Sequence, residues 1–133
     1  MEAKHYLNLS SEGGNSYASY LVGLMHENGE GTEQNFNKAV TYYQRSSEQG
    51  NSHGMNRIAL CYNYGYGVEV NYSKAMEYCQ KGSEQGNLGS ILNIRFLYND
   101  GQGVKQDYSK ALEYFQKAAD LNYPNAFNQL GLL

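Results

Sequence analysis

An internal repeat constrains the fold of this chain more than any other feature. Glycine occurs at Gly14, Gly50 and Gly86, which sets a spacing of 36 residues. Other residues keep the same spacing: Gly29, Gly65 and Gly101; Gly31, Gly67 and Gly103; Lys38, Lys74 and Lys110; Ala39, Ala75 and Ala111; Tyr42, Tyr78 and Tyr114. A period of roughly 20 to 50 residues is typical of solenoids, propellers and related tandem arrays. The sequence therefore predicts an array of repeats and not a globule with one central core.

Each repeat carries the signals for two helices, A and B, separated by a glycine-containing loop. Helix A is predicted to begin after an asparagine, whose side chain accepts hydrogen bonds from first-turn amides, and to end at a glycine, which adopts a positive φ without strain. These limits are Asn15 to Gly29, Asn51 to Gly65 and Asn87 to Gly101, with Pro124 suited to the first turn of one more helix A. Helix B is predicted to begin after Asn35, Asn71 and Asp107, and to end at Gly14, Gly50, Gly86 and Asn122. The pattern predicts an all-α chain of antiparallel helix pairs.

Apolar residues three and four positions apart predict which face each helix buries. In helix A these are Val22, Met25 and His26; Ile58, Cys61 and Tyr62; and Ile94, Leu97 and Tyr98, preceded one turn earlier by the small residues Ala18, Gly54, Ser90 and Ala126. In helix B they are Phe36, Ala39, Val40 and Tyr43; Tyr72, Ala75, Met76 and Cys79; and Tyr108, Ala111, Leu112 and Phe115. One helix pair cannot bury its apolar face alone, so we expect the pairs to stack on one another.

Charge and hydropathy argue against two classes of partner. The formal net charge of −3 disfavours nucleic acid, because binding to phosphates draws its affinity from clustered Lys and Arg. No segment approaches the roughly 20 apolar residues that a membrane-spanning helix needs, so no membrane insertion is expected. The first residues lack the charged and apolar segments of a signal peptide. A cytoplasmic location is therefore slightly favoured, with a trimmed leader as the alternative.

The two cysteines, Cys61 and Cys79, both lie in the middle repeat, where its two helices can bring them close. One interpretation is a disulfide, although two cysteines are few for a small disulfide-held scaffold. The other is a pair of small buried apolar groups. The repeat register favours the second, since the equivalent positions hold apolar or aromatic residues: Met25 and Leu97 for Cys61, Tyr43 and Phe115 for Cys79.

The segment from Gly101 to Ala119, GQGVKQDYSKALEYFQKAA, resembles the signature of the Sel-one-like repeat (SLR) family, which is related to the tetratricopeptide repeats. Weaker copies of its loop are Gly65-Tyr66-Gly67-Val68 and Gly29-Glu30-Gly31-Thr32. The resemblance covers nearly the whole chain. It implies a right-handed α-solenoid that serves as a noncatalytic scaffold or adaptor for other proteins.

Two residues depart from this pattern. Arg95 stands where the family expects a small residue, which predicts either an outward-bent side chain or a looser contact at that point. Gly82 lies inside helix B, where glycine costs roughly 0.5 to 1 kcal/mol relative to alanine. The middle repeat is therefore predicted to be the least stable.

In a solenoid curved like its relatives, helix A lines the concave side, and its residues that vary between copies are the candidate partner contacts. They are Tyr17, Tyr20, Leu21 and Asn28; His53, Asn56, Arg57 and Tyr64; and Leu92, Asn93 and Asp100. Aromatic residues and arginine dominate interface energetics, which makes Tyr17, Tyr20, Arg57 and Tyr64 the preferred anchors. We expect a protein or peptide to bind there. The alternative is a structural spacer belonging to a larger multidomain or secreted repeat protein.

The sequence lacks the motifs of catalytic, metal and cofactor sites. The histidines His5, His26 and His53 do not pair with Cys or carboxylates at the spacing of a zinc site. The glycine loops lack the Lys-Ser or Lys-Thr of a P-loop, and no nucleophile elbow is present. The sequence therefore predicts no enzyme activity, no metal and no cofactor.

The repeat register also predicts the organisation of the chain as a single array. It divides into a half repeat over 1–13, full repeats over 14–49, 50–85 and 86–121, and a half repeat over 122–133. The two half repeats are complementary, which suggests head-to-tail self-association. In that hypothesis Leu130, Leu132 and Leu133 of one copy dock against Ala3, Tyr6 and Leu7 of the next. The simpler alternative is a fragment of a longer array.

Overall fold

The computed structural model describes residues 2–121, with side chains from residue 7 onward. These residues form seven helices and no strand: α1 (Glu2–Glu12), α2 (Ser16–Asn28), α3 (Phe36–Glu48), α4 (Ser52–Tyr64), α5 (Tyr72–Glu84), α6 (Leu88–Asp100) and α7 (Tyr108–Leu121). The helices α2, α4 and α6 are the A helices, and α1, α3, α5 and α7 are B helices. The predicted all-α fold is confirmed for this part of the chain.

The predicted helix ends are confirmed as well. The side chain of Asn87 accepts a hydrogen bond from the Ser90 amide at 2.9 Å, and Asn15 and Asn51 cap α2 and α4 in the same way. Helices α2, α4 and α6 each end at a glycine with φ of 70°, 73° and 67°. Helix B begins after Asn35, Asn71 and Asp107. The predicted stop at Asn122 and the helix after Pro124 lie outside the described residues.

The helices stack as a continuous row of hairpins. Each helix packs against the helix before it and the helix after it. In addition, the backbones of α2 and α4 and of α4 and α6 approach each other closely, whereas those of α3 and α5 do not. The A helices are therefore spaced more closely than the B helices, as on the inner side of a curved solenoid.

Two clusters of buried residues form the core between the helices. One contains Ala39, Val40, Tyr43, Ile58 and Cys61. The other contains Ala59, Ala75, Met76, Cys79, Ile94 and Leu97. Both cysteines are free and each belongs to a different cluster, which confirms their interpretation as small buried apolar groups.

In α7 the predicted core of helix B is confirmed for Ala111, which is buried, but is wrong for Leu112. Leu112 is 66% exposed, whereas its repeat equivalents Val40 and Met76 are 8% and 5% exposed. Loops shield the two earlier helices: a Cβ at Gly67 would lie 2.5 Å from the Phe36 carbonyl oxygen and 3.0 Å from Val40. The loop after α4 thus covers the start of α3, and the loop after α6 covers the start of α5, where Gly103 approaches Tyr72.

Arg95 is half-buried, and its guanidinium carbon lies 4.8 Å from the centroid of the Phe115 ring and 5.4 Å from that of Phe96. Arginine thus fits the position expected for a small residue by stacking on aromatic faces, an attraction typical of cation–π pairs.

Candidate functional site

The eleven predicted contact residues lie on α2, α4 and α6, and all but one are at least partly exposed. Exposed are Tyr17, Asn28, His53, Tyr64 and Asp100; half-buried are Tyr20, Leu21, Asn56, Arg57 and Leu92. Asn93 was predicted on the free face and is instead buried, with 7% of its surface exposed. It turns inward because it bonds to Asn63 on α4, a contact between helices that the pattern of a single helix does not display.

The first junction, between α2 and α4, is built on Glu27, Arg57 and Tyr43. The carboxylate of Glu27 lies 3.6 Å from the Arg57 guanidinium and accepts a hydrogen bond from the Tyr43 hydroxyl at 2.8 Å. Tyr43 is fully buried. Burial, followed by its hydrogen bond to Glu27, raises the pKa of Tyr43 well above the usual range. The junction thus joins one ion pair to one buried hydroxyl.

An aromatic group extends from this junction to the exposed surface of α2. The ring centroids of Tyr20 and Tyr43 are 6.4 Å apart, those of Tyr20 and His53 are 5.3 Å apart, and those of Tyr17 and Tyr20 are 5.8 Å apart. Tyr17 remains 54% exposed. Three of the predicted contacts therefore lie side by side, and Tyr20 connects them to the core.

The second junction, between α4 and α6, places Asn63, Asn93 and Cys79 at the same repeat positions. Asn63 Nδ2 donates to Asn93 Oδ1 at 2.8 Å. The remaining polar atoms of this pair, Asn63 Oδ1 and Asn93 Nδ2, are buried and make no hydrogen bond to nitrogen or oxygen. Cys79 stands where the first junction has Tyr43, so no phenol hydroxyl reaches the pair. The result is a buried amide pair in which Asn63 Oδ1 has no hydrogen-bond partner and Asn93 meets the Cys79 thiol.

A cleft of about 290 Å³ opens beside this amide pair. Its walls include the side chains of Tyr64 and Phe96, which are 63% and 55% exposed. The rest of the lining comes from Asn63, Tyr72, Asn93, Leu97, Asp100 and Gln102. At the first junction the position of Gln102 is held by Tyr66, which stacks on Phe36 with ring centroids 5.1 Å apart. Gln102 cannot stack in this way, and the space beside α6 stays open.

Three of the predicted contacts, Tyr64, Asn93 and Asp100, line this cleft. Asn63 and Phe96 also line it but were not among the predicted contacts. The signal for Asn63 was in the sequence, because Asn63 and Asn93 occupy the repeat positions of Glu27 and Arg57. Positions that change together from an ion pair to an amide pair are typical of side chains in contact. The comparison of two positions in adjacent repeats would have found it.

The titratable groups of the described residues give little support to catalysis. Burial raises the pKa of Cys61 and of Cys79 to about 12, so both thiols are protonated near neutral pH and are poor nucleophiles. In residues 7–121 no three His, Cys, Asp or Glu side chains gather to hold a metal ion. None of the helices within 2–121 is long and apolar enough to cross a membrane.

Comparison with known structures agrees with the geometry. A protective antigen from uropathogenic Escherichia coli strains, which displays an SLR fold, is 30% identical with a TM-score of 0.86 over 96% of this chain. A Sel1 repeat protein from Oxalobacter formigenes is 28% identical with a TM-score of 0.85 over 98% of this chain. Cysteine-rich protein B of Helicobacter pylori shares the fold at 22% identity and a TM-score of 0.71 over 99% of this chain.

The chain spans only 27% of the Escherichia coli antigen and 53% of the Oxalobacter protein, but 92% of the Helicobacter protein. No curated protein sequence matches it significantly. The Sel1 repeat model matches residues 16–51, 52–87 and 87–123, which is most of the chain. The chain therefore belongs to the Sel1 repeat family, a family of noncatalytic repeats that commonly serve as scaffolds for protein–protein interactions.

Proposed function

We propose that this chain is an adaptor that holds a protein or peptide partner against the row of helices α2, α4 and α6. The observation that carries the proposal is the exposure of large side chains on this row. Tyr17, Tyr64 and Phe96 are each more than half exposed on helices whose other apolar residues are buried or half-buried. Exposed aromatic residues beside partly buried polar groups are typical of the centres of protein interfaces.

Tyr17 and Tyr64 are the residues best suited to test the proposal, because neither is needed for the core. Tyr20 and Arg57 are less suitable, since Tyr20 packs on Tyr43 and Arg57 pairs with Glu27. A display library of short random peptides supplies the probe. We expect peptides enriched on the unaltered chain to lose at least about tenfold in affinity on the Tyr17→Ala, Tyr64→Ala double variant, as when interface anchors are truncated.

The matched control is Tyr108→Ala. Tyr108 is 64% exposed, as much as Tyr64, but it lies on α7 in the other row of helices. Thermal unfolding of all variants separates loss of binding from loss of structure. Equal binding by the double variant and by the unaltered chain would contradict the adaptor and favour the spacer, in which the repeats set geometry only. A metal or cofactor retained through purification, detected by elemental analysis and absorption, would favour an enzyme instead.

Self-association through the half repeats stays a separate proposal. Its apolar residues near the C-terminus and the side chains of Ala3 and Tyr6 lie outside the described part of the chain. Sedimentation at high protein concentration tests it, and a strict monomer would contradict it.

A further inference from the structure

We propose that the cleft between α4 and α6 is a binding site for a small organic cation that carries a quaternary ammonium group, as choline does. The cleft measures about 290 Å³ and is lined by three aromatic residues, Tyr64, Tyr72 and Phe96, and by the carboxylate residue Asp100. This ligand is independent of the protein or peptide partner proposed above, because a free small molecule occupies the site by itself.

The aromatic residues of the cleft are the first argument. A quaternary ammonium is attracted to the faces of aromatic rings, and clusters of such rings are its usual recognition site in proteins. Tyr64 and Phe96 are 63% and 55% exposed, so their rings are available to a ligand. The Phe96 ring already attracts one cation, since the guanidinium carbon of Arg95 lies 5.4 Å from its centroid. Arg95 itself does not line the cleft.

The charge around the cleft is the second argument. Tyr64 is the last residue of α4 and Asp100 the last residue of α6, so the carbonyl ends of two helices reach the cleft. The C-terminus of a helix carries a partial negative charge that favours a cation, and neither helix has a basic residue in its last turn. Asp100 adds a full negative charge, and no Lys or Arg lines the cleft. A cationic ligand therefore meets negative potential from three sources.

The hydrogen-bonding groups of the cleft favour a quaternary over a primary ammonium. A primary ammonium has three N–H donors, and they need acceptors when the group leaves water. The lining contains one carboxylate, and the amides of Asn63 and Asn93 are bonded to each other. A quaternary ammonium has no N–H group to satisfy, and its methyl groups pack on aromatic rings.

The first junction lacks this combination of residues. Leu60 stands at the repeat position of Phe96, and Asn28 stands at that of Tyr64. The first junction also carries a positive charge of its own, that of Arg57. A cleft with several aromatic residues, a carboxylate and no cation is thus specific to the second junction, and Leu60 supplies a natural substitution for its test.

The test is a titration of the isotope-labelled chain with choline chloride, followed by two-dimensional NMR. Two analogues are titrated in parallel: the neutral analogue of choline in which carbon replaces the nitrogen, and ethanolamine, which carries a primary ammonium. We expect choline to shift the amide signals at the ends of α4 and α6, with a dissociation constant in the millimolar range. Both analogues should bind at least about fivefold more weakly, because each lacks one part of the cation–π attraction.

Two variants connect this binding to the cleft. Phe96→Leu introduces the residue of the first junction, and Asp100→Asn removes the charge at nearly constant shape. Each should weaken choline binding by about threefold or more, and salt should weaken it less in Asp100→Asn than in the unaltered chain. Asp120→Asn, an exposed change on α7, is the matched control and should bind choline like the unaltered chain. Both substituted residues are exposed, and thermal unfolding checks that the variants stay folded.

Three results overturn this inference. If about 20 mM choline shifts no signal at the ends of α4 and α6, the cleft does not bind quaternary ammonium. If the neutral analogue or ethanolamine binds as tightly as choline, the cleft recognises shape alone or charge alone. If both variants bind choline as the unaltered chain does, the ligand lies elsewhere. None of these results bears on the adaptor, whose test measures peptide binding.

Discussion

The two junctions between successive A helices use the same repeat positions but fill them with different side chains, an ion pair at the first and an amide pair at the second. At the first junction Glu27 pairs with Arg57 and accepts a hydrogen bond from the hydroxyl of the buried Tyr43. At the second, Asn63 bonds to Asn93, and the shorter Cys79 replaces the tyrosine. The first junction closes its polar groups with protein atoms, whereas the second buries Asn63 Oδ1 without a hydrogen-bond partner.

The difference between the junctions shows that residues in contact change together from one repeat to the next, and not one at a time. A Cβ at Gly23 would lie 2.5 Å from the Tyr43 ring, so the large tyrosine requires glycine opposite it. The equivalent pair in the next repeat is Ala59 with Cys79, in which a smaller residue admits a larger one.

The Tyr43→Cys substitution, which copies the second junction into the first, has the largest expected effect. Tyr43 is fully buried, and cutting a buried aromatic residue to a small one costs about 3 kcal/mol or more in unfolding free energy. Gly23→Ala alone should also destabilise, because its methyl group meets the ring. In the Tyr43→Cys background the same alanine should be neutral or stabilising. Urea unfolding of the four proteins measures the coupling, and additive effects would contradict the exchange of sets.

The next largest effect concerns the contact between each helix B and the following helix A. At α3 and α4 this contact pairs Ser46 with Gly54, and at α5 and α6 it pairs Gly82 with Ser90. A Cβ at Gly82 would collide with the Ser90 hydroxyl, and one at Gly54 would lie 2.5 Å from the Ser46 hydroxyl. Gly82 therefore serves close packing, which the sequence pattern interpreted only as a weak helix position.

Gly82→Ser should lower the unfolding free energy by about 1 to 3 kcal/mol, as typical overpacking does, despite its better helix propensity. Adding Ser90→Gly should restore most of the loss, because the double variant reproduces the serine-glycine order of α3 and α4. The single variant Ser90→Gly is the control. A Gly82→Ser protein as stable as the unaltered chain would show that the α5–α6 contact is loose.

The helix ends and the core faces were predictable from the sequence, because they depend on residues within one or two turns. Asn15 caps α2 and Gly29 ends it through hydrogen bonds to nearby amides and carbonyls. The candidate site was predictable only in part. The burial of Asn93 depends on Asn63, which lies 30 positions earlier in the chain, and the opening of the cleft depends on Gln102 in the next loop. Contacts between residues so far apart in the chain do not appear in the periodic pattern of a single helix.

Alkaline pH tests the buried acids of both junctions, because Cys61, whose pKa burial also raises to about 12, lies with Tyr43 in the core of the first junction. Burial raises the pKa of Cys79 from 9.0 to about 12, and the pKa of Tyr43 is also raised from its ordinary value. The folded state holds these protons more tightly than the unfolded state does. Their contribution to the free energy of unfolding is therefore complete below the pKa of the unfolded chain and declines as the pH rises above it. The loss is about 1.4 kcal/mol per pH unit for each group. For Cys79 it begins near pH 9 and ends near pH 12; for Tyr43 it begins near pH 10.

Tyr43→Phe should lower stability at neutral pH, because the hydrogen bond to Glu27 is lost, and yet flatten the decline above about pH 10. Cys79→Ala should instead remove a part of the decline that begins about one pH unit lower. Urea midpoints measured at closely spaced alkaline pH values give both slopes. If stability falls with pH at the same rate in both variants and in the unaltered chain, Tyr43 and Cys79 are not the groups whose protons are lost.

The smallest expected effect comes from the ion pair itself. Glu27→Gln with Arg57→Gln gives the first junction an amide pair like that of the second and keeps an acceptor for the Tyr43 hydroxyl. Arg57 and Glu27 are 36% and 22% exposed, and pairs this accessible contribute only about 0.2 to 1 kcal/mol. The change in unfolding free energy should lie within about 1 kcal/mol, and its dependence on salt should fall because screened charges are gone. Lys38→Gln, an exposed change on α3, is the control. A larger loss would mean that the charges, and not the buried tyrosine, hold α2 against α4, and would reverse the ranking of the two contacts at this junction.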